Sequence, residues 1–188
     1  MRSRGLRSLA GVLTLAILMA APGRAATEKS TWGIPNASFP LPGVMAAGQP
    51  TGTQIQLMVE EGGYRTVIDL RAPDEPRGFD EAEAARQIGL TYVNIPVTPA
   101  TLDQATIDRF LNALRKAERP VLLHCSTSNR VGGMLYAWLV LENKEPPAKA
   151  LEKARAAGLH SPEMTEKVEK LVAERQGAPA KPSPRPRR

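Results

Sequence analysis

The sequence predicts a single α/β domain with a parallel-rich central sheet flanked by helices. Two patterns within residues 44–175 predict it. Short apolar runs recur at residues 44–47, 66–70, 92–95 and 121–123, each bounded by Gly, Pro or polar turn residues, as buried strands are. Between them lie segments whose apolar residues fall at helical spacing. Strands that alternate with helices imply parallel pairing, because a parallel strand needs a crossover connection. In such sheets the ligand crevice lies beyond the carboxyl ends of the strands.

Each element has its own signal. Gly48-Gln49-Pro50 breaks the first strand, and Thr51 with Gln54 has the spacing of a capping box. Ile55, Leu57 and Met58 carry that helix to about residue 61, where Gly62-Gly63 ends it. After the strand at 66–70, the stretch from Arg71 to Pro76 is a loop, since two prolines in four positions forbid regular structure. A helix over 79–87 closes at Gly89, and Pro96 closes the strand at 92–95. Thr101 with Gln104 matches a second capping box, opening a helix through Ile107, Phe110, Leu111 and Leu114. The strand at 121–123 leads through a loop to a helix over 131–141, and one or two helices follow Pro146-Pro147 to about residue 174. Residues 27–43 read as an extended N-terminal segment.

The two ends differ from the middle. Residues 1–26 have the form of a secretory signal peptide: a basic start (Arg2, Arg4, Arg7), an apolar stretch from Leu9 to Ala21, and a small-x-small site at Gly23-Arg24-Ala25. The apolar stretch is short for a spanning helix, which needs about 20 residues, so no stable membrane insertion is expected after cleavage. Export to a periplasm or secretion follows as the expectation. Residues 176–188 carry four prolines and no apolar run, the composition of a disordered tail. Eight of the 25 basic residues lie in these ends, which leaves 17 against 19 acidic ones and a net charge of −2 between them, although the whole chain is +6. That balance argues against a nucleic-acid partner.

The chemistry concentrates at Val121-Leu122-Leu123-His124-Cys125-Ser126-Thr127-Ser128-Asn129-Arg130-Val131-Gly132-Gly133, which holds the single cysteine. A lone cysteine in an exported chain has no internal disulfide partner. A strand ending at a thiol, a short loop and an arginine opening a helix make an anion cradle. Loop N–H groups from Ser126, Thr127, Ser128 and Asn129 and the positive end of the helix dipole converge there. The same field favours the thiolate, which is the nucleophile. Arg130 is a cation where the helix dipole disfavours one, so it needs an anion, and its fork binds two oxygens of a tetrahedral anion at once. His124, beside the thiol, is placed to support the loop. No metal-ligand spacing stands out, and neither a metal nor a cofactor is expected.

His124-Cys125, a short loop and Arg130 resemble the phosphate-binding loop of cysteine-dependent tyrosine and dual-specificity phosphatases. The resemblance is closer to the phosphatase-like domain of beta-lactamase-hydrolase-like proteins. It is carried by Ala47-Gly48-Gln49-Pro50, Val67-Ile68-Asp69-Leu70-Arg71, Gly78-Phe79-Asp80-Glu81-Ala82 and Tyr92-Val93-Asn94-Ile95-Pro96-Val97, in that order before the cysteine. It implies a protein-tyrosine-phosphatase-like fold, Cys125 as nucleophile and Arg130 as oxyanion ligand. It also implies a general acid on the loop after the strand preceding the cysteine strand, where Asp103 is the one carboxylate. Asp69, Asp74 and Asp80 are rivals for that role. Arg71, ending a strand on the same rim, is expected to add positive potential to the anion site unless it pairs with Asp74 or Glu75. Three positions depart from the usual pattern. Four residues rather than five separate Cys125 from Arg130, Ser128 stands where such loops have Gly, and Val131 replaces a hydroxyl residue.

Three functions remain open. The first is a cysteine-dependent phosphatase-like hydrolase that cleaves a phosphomonoester through a thiophosphate intermediate. The second is a rhodanese-like sulfurtransferase or persulfide carrier, favoured by the four-residue spacing. The third is a non-catalytic anion-binding module. The expected partner is a small phosphorylated or sulfur-containing substrate; oligomeric state is left open.

Overall fold

The computed structural model describes residues 30–177; the reading of 1–26 as a signal peptide and of 178–188 within the disordered tail lies outside them, whereas Gln176 and Gly177, expected to begin that tail, instead close the last helix. Five strands form one sheet, β1 (Ser38–Leu41), β2 (Val44–Ala47), β3 (Thr66–Asp69), β4 (Thr91–Asn94) and β5 (Val121–His124), in the order β1-β2-β5-β3-β4. β5 is central and parallel to both neighbours, β2 and β3, and β4 runs parallel to β3. β1 is the antiparallel edge. The sequence reading has no strand there, because most of β1 is only half-buried and gives no apolar run. Its turn is made at Gly43, whose φ of +68° suits glycine.

Among the described residues, six helices cover the sheet: α1 (Gly52–Glu60), α2 (Glu81–Gln87), α3 (Gln104–Lys116), α4 (Asn129–Leu141), α5 (Pro147–Ala156) and α6 (Pro162–Gly177). Thr51 and Gln54 form the expected capping box. The second expected box fails. Asp103, one residue from the helix, accepts from Thr106 N at 2.7 Å, whereas the Thr101 hydroxyl is taken up in a turn with Thr98. A carboxylate at N-cap also complements the helix dipole better than a hydroxyl does.

Strand alternation divides the core in two. Val121 and Leu123 of β5 join a cluster with Ile107 and Phe110 of α3, Leu135 and Leu139 of α4 and Met164 and Val168 of α6. Leu122 joins the opposite cluster, with Ile55 and Met58 of α1 and Ala85 of α2. Continuing the alternation sends Cys125 towards α4 and His124 towards α2. Helix α4 seats closely on the α5–α6 connection: a Cβ at Gly132 would lie 2.5 Å from Leu159 N and 2.7 Å from Ala154 O. Among the described residues, no helix is long and apolar enough to cross a membrane.

Candidate active site

The carboxyl end of β5 opens into the cysteine loop, and neighbouring elements fix its path. Leu70 N donates to His124 O at 2.9 Å, Gln49 N to Ser126 O at 3.1 Å, and Asn36 Nδ2 to Thr127 O at 3.1 Å. Ser128 turns the chain into α4 at φ +68°, the left-handed conformation expected where related loops have Gly. For a non-glycine residue that costs on the order of 1 kcal/mol. The buried hydroxyl offsets it by donating to Ala157 O at 2.8 Å. Asn129 Oδ1 accepts from His160 N and Ser161 N, both at 2.9 Å. The side chains of Ser128 and Asn129 are therefore structural ties to the α5–α6 connection, not anion ligands. Those of Ser126 and Thr127 are exposed. Among the described residues, the N–H groups of Ser126, Thr127, Asn129 and Arg130 donate no hydrogen bond to a protein oxygen.

Cys125 is fully buried at the start of this loop, and its side chain interacts with that of Arg130. The guanidinium is held at its far end. Nη1 donates to Glu75 Oε1 at 2.5 Å, Val97 O at 3.3 Å and Leu70 O at 3.4 Å. Nη2 donates to Glu75 Oε2 at 2.7 Å and Ser126 Oγ at 2.8 Å. The Ser126 hydroxyl in turn donates to Glu75 Oε2 at 2.9 Å. Glu75 is held down to about 2, first by the hydrogen bonds from Arg130, against the opposing effect of its partial burial. Arg130 is pushed up from its ordinary value by Glu75 in the first place, with burial opposing and the nearby Cys125 sulfur adding to the rise. Sequence reasoning missed Glu75 as part of this site and weighed it only as a partner for Arg71. The available signal was an acidic residue in a proline-bounded loop on the same rim of the sheet, where binding residues concentrate.

Arg71 does not line the anion site. It is completely buried and turned inward, because two buried carboxylates need a cation. Its Nε and Nη2 donate to Asp69 Oδ1 and Oδ2 at 2.9 Å, and Nη2 also donates to Glu81 Oε2. Tyr92 OH donates to Asp69 Oδ2 at 2.8 Å. Burial pushes the Asp69 carboxyl up, but the bonds from Arg71, the nearby His124 and Tyr92 outweigh it and hold the group below its ordinary value. His124 Nε2 lies 2.8 Å from Glu81 Oε1, too poorly aligned for a hydrogen bond. Asp69, Glu81 and His124 bring metal-ligating atoms within 4.8 Å of one another, a grouping that their sequence spacing hides. Arg71, bonded to both carboxylates, supplies the cation there.

The carboxylates considered as general acid are also placed. Asp103 caps α3, and its hydrogen bonds with Thr106 hold it below its ordinary value, the wrong direction for a proton donor. Asp80 caps α2 by accepting from Glu83 N at 3.0 Å, and Asp69 is sequestered with Arg71. Asp74 is exposed on the loop that carries Glu75.

Comparison with known proteins agrees with this architecture. Beta-lactamase hydrolase-like proteins from Xylella fastidiosa (strain Temecula1) and Agrobacterium fabrum are 36% identical over 95 residues and 32% identical over 88. Those matches cover 48% and 45% of this chain but only 22% and 20% of the relatives' own length. The structure of a DUF442 protein from Shewanella putrefaciens CN-32 is similar with a TM-score of 0.65 at 21% identity, over 76% of this chain and 94% of that one. TpbA from P. aeruginosa gives a TM-score of 0.59 at 20% identity, over 74% and 84%. Residues 43–172 match the family described as DSP-PTPase phosphatase fused to NAD+ kinase. Sheet order, the loop at the end of β5 and this match over most of the folded chain together make it a member of that tyrosine-phosphatase-like family.

Proposed function

We propose that this phosphatase is a cysteine-dependent phosphomonoester hydrolase acting through Cys125. The reading is carried by one observation. The one cysteine sulfur, at the carboxyl end of the central strand, interacts with Arg130 in a loop where the N–H groups of Ser126, Thr127, Asn129 and Arg130 donate to no protein oxygen among the described residues. In this mechanism the Cys125 thiolate attacks phosphorus, an S–P bond forms and the ester P–O bond breaks. Arg130 and the loop N–H groups hold the equatorial oxygens as charge develops on them. Water then attacks phosphorus, releasing inorganic phosphate and regenerating the thiolate.

Asp103, ionised and engaged as a helix cap, is poorly suited to protonate a leaving oxygen. Substrates whose leaving group is stable as an anion, aryl phosphates above all, are therefore expected to turn over faster than alkyl phosphates. Export to a periplasm or the exterior belongs to the same proposal and is motivated by residues 1–26.

The test is side-by-side hydrolysis of an aryl phosphate by the wild type and Cys125→Ser. Loss of the nucleophile should reduce kcat by more than about 10³-fold. Full activity in Cys125→Ser would remove the mechanism. The four-residue spacing favours a second reading, a persulfide carrier, which predicts that thiosulfate adds one sulfur to the mass of the chain with little phosphate release.

A further inference from the structure

The cysteine loop is held from a part of the chain that lies outside the family match. Residues 30–37 precede β1, and the match begins at residue 43. The segment is anchored on α1. Gln54 Nε2 donates to Trp32 O at 3.0 Å, and the residue after the helix, Glu61, accepts from Trp32 Nε1 at 2.7 Å. Ile34 is buried in the core cluster with Ile55 and Met58. From there the segment reaches the site twice. Pro35 O accepts from Gly48 N at 2.7 Å, and a Cβ at Gly48 would lie 3.0 Å from both Pro35 O and Ser126 O. Asn36 Nδ2 donates to Thr127 O at 3.1 Å. Asn36 itself has φ +54°, a left-handed backbone that asparagine adopts more readily than most residues.

Thr127 O belongs to the peptide plane between Thr127 and Ser128. That plane stands between two pairs of N–H groups that donate to no protein oxygen among the described residues, Ser126 and Thr127 before it and Asn129 and Arg130 after it. Peptide units are rigid, so turning this plane changes Thr127 ψ and Ser128 φ and swings one pair against the other. Ser128 φ is the strained angle of the loop, at +68°. The Ser128 hydroxyl, bonded to Ala157 O, fixes the side chain but leaves the plane free to turn. Turning it relieves the strain, and one neutral hydrogen bond contributes about as much as that strain costs. The bond from Asn36 tips the balance. We propose that Asn36 is a positioning residue of the anion cradle: its amide locks the Thr127–Ser128 plane, so that the two N–H pairs face one tetrahedral oxyanion. The inference rests on the cysteine loop as the phosphate site but not on turnover, so binding and hydrolysis judge the two proposals separately.

Inorganic phosphate is the probe, measured by calorimetry on the wild type, Asn36→Gly, Ser128→Gly and the double variant. Glycine keeps the left-handed backbone at residue 36 and removes only the amide. Loss of one neutral hydrogen bond should weaken phosphate binding about fivefold in Asn36→Gly. In the Ser128→Gly background the positive φ carries no strain, so the same substitution should weaken binding less than about twofold. The NMR coupling that reports φ at Ser128 should also leave its positive-φ value in Asn36→Gly. Equal loss in both backgrounds, or an unchanged coupling, would overturn the proposal and leave Asn36 as a tie for the N-terminal segment alone. Unchanged phosphate binding in Asn36→Gly would overturn it as well, while leaving the phosphatase reading intact. A wild type that binds no phosphate would remove the cradle itself, and with it this role for Asn36.

Discussion

At the scale of single residues, the cysteine loop depends on a contact that no sequence pattern displays. Ser128 holds φ at +68° and presses against Gly158, where an added Cβ would lie 2.7 Å from Ser128 Cβ and 3.0 Å from its carbonyl oxygen. Gly158 itself has φ +113°. Gly158→Ala is therefore expected to destabilise the fold by about 2–4 kcal/mol and to displace the loop, read as a lower denaturation midpoint together with weaker phosphate binding. The juxtaposition of Cys125 and Arg130 was legible, because a thiol and a cation flank a strand-to-helix turn. The side-chain duties of Ser128 and Asn129 were not, since both are set by the remote α5–α6 connection.

At the scale of elements, β3 and α2 are joined by buried charge as well as by the apolar cluster that holds Val67 and Ala85. Arg71 bridges Asp69 of the strand and Glu81 of the helix, all three without solvent exposure. Removing the cation alone leaves two buried carboxylates uncompensated, at a cost of about 3–5 kcal/mol. Arg71→Met is expected to show that loss by chemical denaturation at neutral pH and to recover part of it at lower pH, where the uncompensated Asp69 carboxylate takes up a proton. A loss independent of pH would mean that the side chain contributes only volume. An arginine ending a strand reads from sequence as a rim residue, because burial of its partners depends on where α2 docks. Most helices and four of the five strands follow from periodicity and turn residues. The α3 cap moved from Thr101 to Asp103 because both residues fit N-cap chemistry and the carboxylate fits it better.

For the molecule as a whole, acid should act through the rim as well as the interior. Glu75 has an ordinary value of 4.5 and is held at about 2, so it binds fewer protons folded than unfolded. Its contribution to stability is complete above pH 4.5 and is lost as pH falls towards 2. For a partly exposed group, that loss is about 2 kcal/mol after solvent screening is allowed for. Asp69 shifts in the same direction and adds to the effect. The urea midpoint should fall across this window, and Glu75→Gln should narrow the fall; an identical profile for the two proteins would show that Glu75 is unpaired in solution.

The middle strand of the sheet is also its last. Val121 pairs with both Val44 and Thr66, so β2 and β3 have nothing between them until β5 is made. A nascent chain that has emerged only as far as residue 120 presents two bare parallel edges with no partner. Native structure therefore waits for late synthesis and then forms through distant pairings, the slow kind of assembly. Biosynthesis thus gives Cys125 no partly built predecessor: it enters a finished sheet or remains on an unfolded chain.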